Sequence, residues 1–80
     1  MTSNDNVLKQ IFIDVFEDVD DSSFDWEKQQ SDYENWDSFA HLRLVSEIEE
    51  KFNIKLDIDD VVFIRDASGF LKIINQKITS

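Results

Sequence analysis

Ser38 and His41, three residues apart and just after Asp37, place a hydroxyl, an imidazole and a carboxylate within one short stretch. Residues at that spacing share a helix face, so a serine activated for acyl transfer is the first chemistry to weigh. It meets two obstacles. Asp37 adjoins Ser38 and would have to cap a helix while orienting the histidine, and no glycine-rich turn supplies an oxyanion hole. His41, the only histidine, reads instead as a solvated side chain. Cysteine is absent, which removes thiol nucleophiles, disulfides and thiolate zinc sites. The acidic run from Asp18 to Gln29 has the look of a calcium loop, but Ser23 stands where the sharp turn needs glycine and Gln29 where a bidentate glutamate is needed. No metal site is expected.

A second chemistry asks only for an accessible hydroxyl. Asp37 is a good N-cap, its carboxylate accepting from a first-turn amide. Ser38 then falls in the first turn, beside unpaired backbone amides and the positive end of the helix dipole. A phosphodiester on that oxygen would sit where helix termini favour anions. Phe39 is expected to anchor the helix start in the core and leave Ser38 facing outward. Taken alone, the pair reads as an ordinary helix cap.

The elements that must hold this serine are helical. Proline is absent and Gly69 is the one glycine, so the two strongest helix breakers are nearly missing. Val7/Leu8, Ile11/Phe12, Val15/Phe16 and Val19 recur in steps of three and four, which predicts a first helix over residues 4–18. The period is then lost as far as Trp36. Phe24, Trp26, Tyr33 and Trp36 lie in this stretch, which predicts a long loop pinned across the bundle by its rings, with at most a short helical turn. Asp37 opens the clearest helix, with Phe39, Leu42, Leu44/Val45, Ile48 and Phe52 as its apolar stripe and Asn53 as its stop. Residues 54–58 alternate and read as an extended connection against the core. Asp59 to Ile64 reads as a short helix with acids in its first turn. Asp66 or Ser68 caps a last helix with Phe70, Leu71, Ile73/Ile74 and Ile78 inward and Lys72 and Lys77 towards its C-terminal end. The expected fold is all-α, a four-helix bundle of three longer helices and one short one with a long first loop. It occupies residues 1–80 as a single domain.

Eighteen acids against eight bases give a net charge of -10. Ten of the acids fall between Asp14 and Asp37, where Lys28 is the only base. Such a surface repels phosphate backbones, so nucleic-acid binding is not expected. It attracts basic patches on partner proteins. No long apolar run or basic leader is present, so the reading is of a monomeric cytoplasmic protein without a membrane span.

The stretch from Trp36 to Ile54 resembles the acyl carrier protein family, whose signature is Asp-Ser-Leu followed by apolar positions and a Glu-Glu-x-Phe ending. Asp37, Ser38, Leu42, Leu44, Val45, Ile48, Glu49, Glu50, Phe52 and Ile54 fall on that pattern. Leu56, Asp59-Asp60, Val61, Ile64 and the segment from Phe70 to Ile78 continue it. The resemblance implies a non-catalytic four-helix carrier. It implies that a phosphopantetheinyl transferase places 4'-phosphopantetheine from coenzyme A on Ser38, with Asp37 presenting it. The arm's thiol would hold acyl or aminoacyl groups as thioesters for loading and transferring enzymes with basic docking patches, and so supply the sulfur the chain lacks. Phe39, His41, Leu42, Val45 and Glu49 are the implied docking contacts, with Asp59, Val61 and Val62 bordering the arm and His41 near its phosphate. Three positions depart from the pattern: Phe39 for leucine, uncharged Ala40, and Arg43 where fatty-acid carriers have an acid. With Trp36 where many relatives have glycine, they point to a stand-alone carrier of a specialised pathway. The alternative is a small acidic helical adaptor without a prosthetic group.

Overall fold

The computed structural model describes residues 4–79. In chain order it contains α1 (Asn4–Val15), a single 3-10 turn (Gln30–Asp32), α2 (Ser38–Phe52), α3 (Ile58–Val61) and α4 (Ala67–Thr79). α1 packs against both α2 and α4. The expected bundle of three longer helices and one short one is present. No strand occurs among the described residues, and no helix among them is long and apolar enough to cross a membrane.

α1 buries Leu8, Ile11 and Phe12, the face its three-and-four spacing marks. It ends three residues before the expected Asp18. The amide of Phe16 still reaches Phe12 O, but Val19 N turns back to Phe16 O at 3.1 Å, closing a tighter turn. Phe16 and Val19 are buried all the same. Asp20 then organises the next turn, its Oδ1 accepting from the Ser22 amide, the Ser22 hydroxyl and the Ser23 amide. The Ser22 hydroxyl first, with the Ser23 amide and hydroxyl, holds the Asp20 carboxyl below its usual range. This acid is spent on a turn.

The long first connection is pinned by its rings, as expected. Tyr33 and Trp36 are buried and Phe24 and Trp26 half-buried against the core. Phe12 is the hub of this layer, with the rings of Phe16, Phe24, Tyr33, Trp36 and Phe70 all centred within 6.4 Å of its own. Backbone bonds from Gln30 N to Arg65 O (2.6 Å) and from Ser68 N to Trp26 O (3.2 Å) fasten the loop to the α3–α4 linker and to the first turn of α4.

Tyr33 carries a test of this packing. Its Oη is buried without a hydrogen-bond partner among the described residues, and the Lys28 ammonium lies 4.6 Å from the ring centroid. Burial, with smaller contributions from the carboxylates of Asp25, Asp18 and Asp66, pushes the phenol up to about 12. An unfolded tyrosine titrates near ~10, so above that pH the unfolded chain loses its proton first. Stability from this group is therefore full below about pH 10 and falls as pH rises towards about 12. In a spectroscopic titration, tyrosinate absorbance of this single tyrosine should rise well above its usual pH or together with unfolding. An ordinary titration in a chain still helical by circular dichroism would contradict the burial.

Four expectations about facing are corrected. Phe39 is 84% exposed. At about 100° per residue it lies about 140° around the helix from Leu44, so it cannot share the face that buries Leu44 and Ile48. Leu42 is likewise exposed. Ile58 opens α3 instead of ending an extended segment against the core, and is 73% exposed. The half-buried positions of that segment are Ile54 and Leu56. Ile78 is also exposed, while Phe70 and Ile74 carry the burial of α4. α3 stops at Val61, short of Ile64, and leaves Phe63 bare.

Candidate functional site

α2 begins as its sequence dictates. Asp37 has an extended backbone and its Oδ1 accepts from the Ala40 amide at 2.9 Å. The helix therefore starts at Ser38, whose own amide and that of Phe39 have no partner within the helix. Ser38 is exposed. At the far end Asn53 takes the left-handed conformation (φ 54°, ψ 49°) and its amide bonds Glu49 O, the expected stop. Asp66 Oδ1 accepts from Gly69 N at 2.8 Å and starts α4 in the same way.

Beside Ser38 lies a groove of about 440 Å³ between α2 and α3, within the size range of sites that take small molecules. Ser38 lies on its lining. The apolar wall is built from Leu42 and Val45 of α2, Leu56 of the connection, and Ile58, Val61 and Val62 of the α3 region. Gln30, His41 and Arg65 supply its polar groups.

His41 holds this groove together and is not the solvated side chain expected. It is half-buried, with Trp36 Nε1 donating to its Nδ1 at 3.1 Å and its Nε2 lying 2.9 Å from Val61 O. Because Nδ1 accepts from the indole, Nε2 must carry the proton and donate to the carbonyl. One imidazole thus ties the first loop, α2 and the end of α3. Both ring nitrogens are used, so His41 has no lone pair left to act as base for Ser38. Glu49 serves a similar purpose one segment on, its Oε2 accepting from the Leu56 amide at 2.9 Å and fixing the connection that forms part of the wall. Lys77 pairs with Asp60 at 3.1 Å and ties α3 to α4.

Of the residues singled out in the sequence, Ser38, His41, Leu42, Val45, Val61 and Val62 come together around the groove. Asp37 caps the helix next to it. Phe39 projects into solvent beside Ser38, and Asp59 is exposed and outside the lining. Gln30, Leu56, Ile58 and Arg65 were not anticipated as site residues. Leu56 carried a usable signal, the alternation with Ile54. Gln30 and Arg65 carried none, because the loop fold alone brings them there. No cluster of His, Cys, Asp or Glu suited to a metal ion occurs among the described residues.

A four-helix bundle with a long first connection and a short third helix has the architecture of the acyl carrier fold. The likeness is direct: a solution NMR structure of a holo acyl carrier protein from Geobacter metallireducens matches with a TM-score of 0.81. The match covers 98% of this chain and 88% of that one at 23% sequence identity. No protein-family model matches the sequence, and no curated protein does.

Proposed function

We propose that this protein is a carrier whose Ser38 hydroxyl accepts a 4'-phosphopantetheine arm from coenzyme A. The observation that carries the reading is the exposed serine at the start of a capped helix, on the lining of an apolar groove. The groove's apolar wall suits the arm's aliphatic parts and an acyl group, and the helix start suits the phosphodiester. Once attached, the arm supplies the thiol that holds acyl or aminoacyl groups as thioesters. The chain itself contributes a body that docks and a tether that raises the cargo's effective concentration at each partner enzyme. It catalyses nothing, in keeping with a histidine whose ring nitrogens are both bound.

The partners are a phosphopantetheinyl transferase and the enzymes that load and unload the thioester. The acids of the first loop attract their basic patches, while Phe39, Leu42 and Val62 offer exposed apolar contact around Ser38. Asp59, on α3, is a further exposed acid. Incubation with coenzyme A and a broad-specificity transferase should raise the intact mass by one phosphopantetheinyl group. A folded protein that gains nothing from an active transferase would leave the small acidic adaptor as the better reading.

A further inference from the structure

Arg65 is a cation on the wall of a groove that is otherwise mostly apolar, in a chain of net charge -10. Its surroundings orient it without neutralising it. Nη1 donates to Val62 O at 2.8 Å and to Ile64 O at 3.2 Å, which uses one nitrogen of the guanidinium and leaves the Nη2 and Nε N–H groups without a protein acceptor among the described residues. The neighbouring carboxylate, Asp66, is committed elsewhere. Its Oδ1 accepts from Gly69 N, and its Oδ2 accepts from Gln29 Nε2 at 3.1 Å. Arg65 takes part in neither ion pair seen among the described residues, Lys9–Asp21 and Lys77–Asp60. Its own carbonyl is held by Gln30 N at 2.6 Å, so the backbone beneath it is fixed as well.

Arg65 is exposed at the edge of the groove it lines with Leu56, Val61 and Val62, so its hold on an anion comes from its free donors and their fixed direction and not from a dry setting. Its fixed, planar edge suits a carboxylate or phosphate oxygen pair better than an ammonium would. We infer that Arg65 is an anion anchor for the molecule attached at Ser38. The inference rests on the carrier reading. The anion is either the arm's own phosphodiester or a carboxylate on a cargo whose chain is otherwise apolar. In the second case the groove selects acyl groups that end in an acid over acyl groups that end in a methyl.

The test follows the Arg65 Nε–H resonance of 15N-labelled protein in its apo form, its holo form, and forms loaded from glutaryl- and pentanoyl-coenzyme A, which have equal chain lengths. Intact mass is read at each stage. A shift of the resonance on going from apo to holo, with a change in the arm's 31P resonance in Arg65→Gln, assigns the anchor to the phosphodiester. No shift in the holo form, followed by a shift with glutaryl but not pentanoyl, assigns it to a cargo carboxylate. An unmoved resonance through all four forms, or equal movement with glutaryl and pentanoyl alone, overturns the anchor and leaves Arg65 as a cap on the end of α3. Backbone amide spectra of Arg65→Gln establish that the variant is folded. A mass that never rises overturns the carrier reading and takes the anchor with it, whereas a mass that rises without a shift overturns the anchor alone.

Discussion

Ser38→Ala should abolish the phosphopantetheinyl mass gain completely while changing unfolding free energy by no more than about 0.5 kcal/mol. The two effects separate because this serine contributes little to the fold. It is exposed, and the capping bond at its end of α2 comes from Asp37 to Ala40. Alanine is the best helix former, so the first turn survives the exchange. Intact-mass measurement after transferase treatment reads the first effect and urea unfolding the second. A residual gain in the variant would mean a second acceptor, with exposed Ser46 the next candidate on α2, and would remove Ser38 from its assigned role. A large loss of stability would mean that the hydroxyl is structural. The experiment also separates a carrier from a plain adaptor, since an adaptor's partner binding would not depend on this oxygen.

Local chemistry made the start and end of α2 legible in the sequence. Asp37 and Asn53 each act within a few residues, through a cap and a left-handed stop, and such signals survive without knowledge of the fold. The aromatic loop was legible for a different reason: four large rings between Asp18 and Trp36 have to be placed against a core. What misled was a choice between two apolar stripes on one helix. Phe39 and Leu42 follow a three-residue step, and His41, Leu44, Ile48 and Phe52 follow steps of three and four, so periodicity alone does not say which faces inward. The bundle chose the second and left the first to solvent. His41 and Arg65 were illegible because their meaning comes from carbonyls and loops brought in by the fold, Val61 O lying 20 residues from the histidine and Gln30 lying 35 residues before the arginine it bonds.

That dependence is sharpest at Trp36, and Trp36→Ala should cost about 3–5 kcal/mol. The indole is 5% exposed and stacks on Phe70 at 21° between planes, while meeting Phe12 and Tyr33 edge-on. Truncation empties the centre of this layer, and the rings around it cannot all close on the space. It also strips His41 Nδ1 of its donor, so the imidazole that reaches Val61 O loses its fixed tautomer and orientation. A domain of this length has a total stability of roughly 4–12 kcal/mol, so the loss takes a large share of it and unfolds the variant outright at the lower end of that range. Trp36→Phe separates the two contributions. It keeps most of the ring burial, deletes the indole donor, and should cost less, about 1–3 kcal/mol from the unsatisfied nitrogen and the smaller ring. Urea unfolding measures both variants. In the phenylalanine variant, transferase loading measures whether α3 still lies where Ser38 needs it, because the bond from His41 to Val61 O is the direct link between the two helices at the groove. A loss under about 1 kcal/mol in Trp36→Ala would mean that the layer repacks without the indole, and that the groove beside Ser38 is held by α1 and α4 and not through the loop.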